Sequence, residues 1–406
     1  MRLLSRNLVA YLGSRFCAAS AMMMLRAGVA WHVFALTGSP FHLGLIGLVQ
    51  FVPAFALVLV GGALADTYDR RRIMMIAQAV ALSASIVLCV ATWRGTLGLP
   101  VLYAGIVVVA AAGAFDSPAR ASLLPTLVPR EVFPRAVTIA ATNQALAFAT
   151  GPALGGLLIA AGGIASVYAA YGVLLFGSVA GLLFLHPQRR APGTGSFTSR
   201  AVREGLSFVR HRPVVLGCMT LDMFAVIFGG AAALLPVYAN DILHVGPRGY
   251  GLLTSSLELG ALATSGVLTF LPPVRRSGRA LLVAVGVYGL ATVAFGLSRW
   301  LPLSIASYML VGVADQVSVV MRSTAIQLST PDDLRGRVSA INMMFIGASN
   351  QLGAAESGFL AALTSAPFAV VSGGIGSLVV LAAVAALLPE LRRYRIDHAP
   401  EIRKAG

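Results

Sequence analysis

Twelve apolar stretches, each long enough to cross a lipid bilayer, alternate with short polar turns along this chain, and no other feature constrains its fold so strongly. They run at about residues 9–36, 42–64, 73–93, 100–122, 136–160 and 163–185, then 213–238, 249–271, 280–297, 303–327, 336–362 and 366–388. A hydrocarbon core about 30 Å thick takes about 20 helical residues to span, and inside it every backbone N–H and C=O must be bonded within its own segment. Each stretch is therefore predicted to be a helix. Of the 406 residues 57% are hydrophobic and 11% charged, against about 25% charged in a soluble domain. So few charges cannot clothe a surface facing water. A disordered chain, a collagen or coiled coil, a disulfide scaffold and a soluble enzyme on a single anchor are excluded. The predicted class is an all-α integral membrane protein with twelve transmembrane helices in two six-helix halves.

The net charge of +15 would suggest a nucleic-acid partner in a soluble chain. Here the basic residues, Arg in every case but Lys404, sit in short runs between apolar stretches with no interleaved aromatic platform, so they read as topology signals and no nucleic acid is expected. Placing the N-terminus in the cytoplasm puts nearly all of them on one face. The exceptions are Arg94, Arg248 and Arg299 on the other face, and Arg15 and Arg26 inside the first stretch. Both termini and the 186–212 interval are thus expected on the cytoplasmic side of the cell inner (plasma) membrane. Arg2 and Arg6 precede the first stretch without a small-residue cleavage site, so it reads as the first span. Cys17, Cys89 and Cys218 lie within apolar segments and show no ligand spacing, so packing roles are expected, with no metal. His32 and His42 are expected at the outer interface.

An internal repeat sharpens the organisation. Shifting the second half back by 202 residues lays Arg322 on Arg120, Pro331 on Pro129, Asp333 on Glu131, Arg337 on Arg135, Gly353 on Gly151 and Gly358 on Gly156. Two halves in the same orientation follow: residues 1–185 as the N-terminal six helices, 186–212 as a cytoplasmic linker, 213–390 as the C-terminal six and 391–406 as a cytoplasmic tail. A parallel pseudo-two-fold repeat of this kind places a substrate cavity between the halves near the bilayer midplane.

Three local patterns carry a family resemblance. After the second span comes Gly62-Ala-Leu-Ala-Asp66-Thr-Tyr-Asp-Arg70-Arg71-Arg72, which resembles the loop motif of the major facilitator superfamily, with Thr67 in place of a usual basic residue and Asp69 in place of a usual glycine. The resemblance implies a latch that stabilises one access state. In span five, Ala147-Phe-Ala-Thr-Gly151-Pro152-Ala-Leu-Gly155-Gly156 resembles the antiporter motif of that superfamily's exporters. Small residues at this spacing let helices approach closely, and Pro152 loosens the local ladder. The run from Gly312 through Asp315, Arg322 and Gln327 to Thr330-Pro-Asp-Asp-Leu-Arg335-Gly-Arg337-Val, with Trp31, Leu36-Thr-Gly-Ser-Pro40 and Leu221-Asp222 through Leu234-Leu-Pro-Val237, resembles the bacterial enterobactin-exporter-like branch. The resemblance covers essentially the whole chain. It implies a monomeric secondary transporter that moves a small molecule against protons.

Ionisable groups inside the spans are the candidate site, because each costs about 2.5–3.5 kcal/mol near the bilayer centre unless it has a partner, a wet cavity or a proton. Arg26, Asp222, Glu258, Asp315 and Glu356 are the candidates for proton coupling or the substrate cavity, with Asp222 and Glu258 first. Thr254, Glu258 and Ser265 share one helical face, as do Asn342, Ser349 and Glu356. Asp315 and Arg322 also share a face, but about 10.5 Å apart along the axis, so each is expected to pair elsewhere. Asp66, Arg70, Arg71, Asp116, Arg120, Arg322, Arg335 and Arg337 are the candidates for the loop motif and the inner gate. Gly151, Pro152, Gly155 and Gly156 form the antiporter motif. No nucleotide loop, zinc-protease motif or triad outside the spans is present in the sequence, so no enzyme and no cofactor is expected. The predicted function is proton-coupled export of a small amphipathic molecule of siderophore, antibiotic or drug type by alternating access. A proton-coupled importer or lipid flippase of the same fold is the alternative, and a membrane enzyme or receptor a remote one.

Overall fold

The computed structural model describes residues 6–129, 132–185, 199–272, 274–331 and 334–395. All secondary structure among them is helical. The elements are α1 (Arg6–Thr37), α2 (Pro40–Thr67), α3 (Arg70–Trp93), α4 (Leu99–Leu127), α5 (Phe133–Leu183), α6 (Ser199–Arg210), α7 (Pro213–Phe228), α8 (Gly246–Phe270), α9 (Ser277–Leu297), α10 (Leu301–Leu328), α11 (Arg335–Leu363), α12 (Ala366–Leu387) and α13 (Pro389–Arg393). Proline stands in the first turn of α2, α4, α5, α7, α10 and α12, where its missing N–H costs no hydrogen bond. Asp69 caps α3, its carboxylate accepting from the Arg71 amide at 2.9 Å.

The 51 residues of α5 are two spans. Gly163, at φ 71°, breaks the helix, in agreement with the division between 136–160 and 163–185 read from the sequence. Ten described stretches are both long and apolar enough to cross a bilayer. Dividing α5 and adding the more polar 29-residue α11 completes the twelve. The interval between the halves, by contrast, contains the helix α6, which its polar composition did not announce; residues 186–198 lie outside the described residues.

Beyond Phe228 the span that begins with α7 continues as a 3₁₀ turn, Ala231–Leu234, and a π turn, Tyr238–Ile242. At this interruption the Ala225 carbonyl still accepts from the Gly229 amide at 2.8 Å and the Gly229 carbonyl from that of Ala231 at 2.7 Å, and side chains of neighbouring helices bond the same two oxygens. Tyr288 of α9 donates to the Gly229 carbonyl at 3.2 Å, and Ser377 of α12 donates to that of Ala225 at 3.0 Å.

The chain forms two compact units. The first comprises residues 1–197 together with Leu235–Ser255, so the segment leading into α8 packs with the N-terminal helices. One of its cores gathers Leu8, Tyr11, Met74, Ala119, Leu124 and Leu182 from α1, α3, α4 and α5. The second comprises residues 198–234 and 256–406, with a core of Val215, Cys218, Leu221, Val285, Met321 and Ile341. Among the very close helix crossings of each unit, one stands at equivalent repeat positions. A Cβ on Gly151 of α5 would stand 2.8 Å from the Ser20 carbonyl oxygen of α1, and one on Gly353 of α11 would stand 2.6 Å from that of Val226 of α7. Such contacts under 3 Å are open to glycine alone, and dispersion at close range is what holds helices together where lipid removes the hydrophobic drive.

Candidate functional site

In the first unit the arginines after α2 act as braces on neighbouring helices. Arg70 donates to the Ser122 carbonyl near the end of α4 at 2.9 Å, and Arg71 donates to that of Leu183, the last residue of α5, also at 2.9 Å. The last carbonyls of a helix lack intrahelical partners and carry its negative dipole end, so at Leu183 the guanidinium satisfies and neutralises together, whereas Ser122, five residues before the end of α4, is a tie from Arg70 to the body of that helix. The Asp66 side chain lies outside the described residues, whereas Asp69, which stands where the motif usually has glycine, is the cap of α3.

Deeper in that unit Asp116 and Arg120, one turn apart on α4, form an ion pair with Nε to Oδ2 at 3.0 Å. Gln78 of α3 donates to the same carboxylate at 2.8 Å. Arg120 also reaches Ser14 of α1 at 3.5 Å, and Ser14 lies 2.9 Å from Ser178 of α5. Tyr11 donates to the Arg120 carbonyl at 3.2 Å and accepts from Arg15 at 3.0 Å, while the far end of the Arg15 guanidinium donates to Gln144 of α5. Gln78, Tyr11 and Gln144 escaped the sequence reading, which places Arg15 inside the first span without a role. The signals that could have found them are the four-residue spacing of Tyr11 and Arg15 and the adjacent amides Asn143 and Gln144 inside an apolar span. His32, expected at the interface, is instead 5% exposed, with Nδ1 2.8 Å from the Tyr168 hydroxyl. Arg26 is exposed and engaged by a neighbour.

The antiporter-type glycines seam α5 to two neighbours. Gly151 and Gly155 face α1, where a Cβ on Gly155 would stand 3.2 Å from Met24 Cγ. Gly156 faces the start of α8, where its Cβ would stand 2.6 Å from the Pro247 carbonyl oxygen and 2.7 Å from Gly251 Cα. A Cβ on Gly251 would in turn meet the Pro152 carbonyl oxygen at 3.0 Å, so Pro152 and the glycines work as one surface. Tyr250 fastens the same segment to α1, donating to the Ala27 carbonyl at 3.0 Å with its ring 5.2 Å from that of Trp31.

In the second unit Asp222 of α7 and Arg322 of α10 form a salt bridge, with 9% and 2% of their side chains exposed. Arg120 and Arg322 are repeat equivalents and both buried, yet they take their carboxylates from different places: one turn back on α4 in the first case, another helix in the second. The candidate proton carrier Asp222 and the candidate gate Arg322 are therefore one structure. Glu356 of α11 accepts from Ser357 at 3.2 Å, and Glu258 of α8 is engaged by a neighbour. Ser349, between Asn342 and Glu356 on their shared stripe, is fully buried and donates to the Ile346 carbonyl of its own helix. Asp315 of α10 makes no hydrogen bond and no ion pair among the described residues, so the partner anticipated for it is absent there. Arg335 donates to the Gln327 carbonyl at the end of α10 at 3.3 Å, repeating the brace seen at Arg71. Arg337 pairs with Glu204 of α6 at 2.5 Å. Among the described residues no cluster of His, Cys, Asp and Glu could hold a metal ion.

The chain has relatives in sequence and in fold. Residues 11–403 match the model of a family described as transmembrane secretion effector. The chain is 28% identical over 399 residues to the enterobactin exporter EntS of Escherichia coli O6:K15:H31, covering 97% of this chain and 94% of that one, and 28% identical to EntS of Citrobacter koseri, covering 94% and 92%. Among solved structures, a bacterial homologue of the human lysosomal transporter Spinster, inward-facing and unoccupied, matches with a TM-score of 0.70 at 15% identity, covering 95% of this chain and 96% of that one. A peptide transporter, POT, matches with a TM-score of 0.72 at 14% identity, covering 95% of each. The chain belongs to the transmembrane secretion effector family of major facilitator transporters, a multi-pass membrane protein of the enterobactin-exporter-like branch and not an enzyme.

Proposed function

We propose that the protein is a proton-coupled exporter of a small amphipathic molecule, of siderophore, antibiotic or drug type, that works by alternating access in a bacterial inner membrane with both termini cytoplasmic. The relatives named as enterobactin exporters support export and a siderophore-like substrate. The observation that carries the coupling is Asp315. Of the carboxylates on membrane-spanning helices, Asp116 and Asp222 are held by arginines, Glu356 by a serine, and Glu258 is engaged. Asp315 alone has neither hydrogen bond nor ion pair among the described residues. An unpaired carboxylate in a membrane interior is stable chiefly when protonated, and one whose access alternates between two aqueous faces can load a proton on one and release it on the other. This changes the order set by sequence alone, which put Asp222 and Glu258 first: a carboxylate that already neutralises a buried guanidinium is costly to protonate.

Flux in proteoliposomes, driven by an imposed pH gradient with a panel of siderophores including enterobactin, dyes and drugs, tests this reading. Asp315→Asn is expected to abolish the dependence of efflux on the gradient while exchange of substrate for substrate continues. Full gradient-driven efflux by Asp315→Asn would remove Asp315 from the coupling. If Asp222→Asn, Glu258→Gln and Glu356→Gln behaved the same way, proton coupling itself would be refuted.

A further inference from the structure

The polar network of the first unit contains two guanidinium groups, Arg15 and Arg120, and one carboxylate, Asp116, which is committed to Arg120. Arg15 has no acidic partner among the described residues. Its partners are the Tyr11 hydroxyl at 3.0 Å and the Gln144 amide oxygen, both neutral, and its Nε is buried without any acceptor. It stands about 14 Å into α1 at 1.5 Å per residue, inside a helix that crosses the membrane. A guanidinium cannot shed its proton to escape that environment. A charge held there by dipoles alone gains most from an anion, and a guanidinium presents a planar fork that fits carboxylate, sulfonate or phosphate oxygens. Tyr11 and Gln144, on α1 and α5, fix the orientation of that fork; Tyr11 is itself fully buried and anchored on the Arg120 carbonyl.

We propose that Arg15 is an anion-recognition residue of the transport path and that the transported molecule carries an acidic group. This rests on the export reading and narrows its substrate class from amphipathic to amphipathic and anionic. With the N-terminus cytoplasmic, Arg15 stands in the part of α1 that a molecule leaving the cytoplasm meets first. Anionic lipid headgroups offer the same chemistry, so the test must separate the two sources.

The probes are 1-anilinonaphthalene-8-sulfonate and N-phenyl-1-naphthylamine, which share an apolar body and differ in the sulfonate. Binding is measured by fluorescence on the full chain in nanodiscs of phosphatidylcholine alone, and of phosphatidylcholine with one part in five phosphatidylglycerol, after subtraction of empty discs. The expected result is that Arg15→Gln weakens sulfonate binding about tenfold or more, in line with loss of a charge-assisted bond, and changes the neutral amine less than about twofold. Arg15→Lys should keep most of the preference, which guards against a folding artefact. Equal affinity of the wild type for both probes, no saturable sulfonate binding, or the same loss for both probes in Arg15→Gln would overturn the assignment. An Arg15 effect seen only in discs with phosphatidylglycerol would overturn it in favour of lipid. Gradient-driven flux is read separately: wild-type protein that binds the sulfonate through Arg15 but exports nothing would refute export and leave anion recognition standing.

Discussion

Asp222→Asn isolates the strongest electrostatic element of the second unit. The substitution keeps the shape of the side chain and removes its charge, leaving Arg322, 2% exposed, without a counter-ion. Cutting one partner from a buried pair costs about 3–5 kcal/mol, whereas replacing both partners with apolar residues of similar volume is close to neutral or stabilising. Cys218 reports the difference: it is fully buried one turn before Asp222 and belongs to the same core. With Cys17 and Cys89 replaced by alanine, labelling of Cys218 by a fluorogenic maleimide, normalised to its rate in the unfolded chain, follows the population of opened molecules when closing outpaces reaction. At about 1.4 kcal/mol per tenfold, Asp222→Asn should speed labelling by roughly two to three and a half orders of magnitude. The double substitution Asp222→Leu with Arg322→Met should label within about tenfold of the parent, on the same reasoning. Labelling of Asp222→Asn within about threefold of the parent would refute the pair as a stabilising element. A double variant as labile as the single one would refute the argument that the lone guanidinium is the cost.

Gly156→Ala places a methyl group 2.6 Å from the Pro247 carbonyl oxygen; it should loosen the start of α8 from α5, and a cysteine put in place of the fully buried Leu253 should then react at least tenfold faster with maleimide. At the linker helix, Glu204→Ala removes an ion pair about 40% exposed on both sides and should cost no more than about 1 kcal/mol, whereas Gly205→Val drives a side chain into Ile341, only 2.7 Å from a Cβ at that position; trypsin cleavage near Arg210 should accelerate in the second variant and not in the first. Gly163→Ala forces a Cβ into φ 71°, ψ −178°, a region open essentially to glycine alone, and should cost about 1–3 kcal/mol, with Gly163→Asn no milder because this is not the left-handed helical region that asparagine tolerates; melting of the purified protein in detergent checks both. For topology, a single cysteine replacing Thr96 should label with an impermeant reagent from outside intact cells and one replacing His211 should not, and the reverse pattern would invert the orientation.

What could be read from the sequence follows from which interactions are local. The bilayer imposes its thickness on every span, so the helices were legible, and the break at Gly163 was legible because only an interruption lets 51 residues cross twice. The pair of Asp116 and Arg120 was within reach, being one turn apart on one helix. The bridge from Asp222 to Arg322 was not, because it depends on the rotation of two helices about their own axes, and the hydrophobic pattern of a span surrounded by lipid and protein barely encodes that angle. The same ignorance of rotation ranked Asp222 above Asp315, although the fold gives the first an arginine and leaves the second without an ion pair or hydrogen bond among the described residues. Arg15 shows the point from the other side. Its partners are a phenol and an amide, residue types that draw no attention in an apolar run, and their convergence from α1 and α5 holds a cation near the start of a span that has no counter-ion among the described residues. Sequence therefore locates the ionisable groups that a membrane helix can scarcely tolerate, and packing decides which of them are spent on holding the fold and which keep their chemistry for a proton or a substrate.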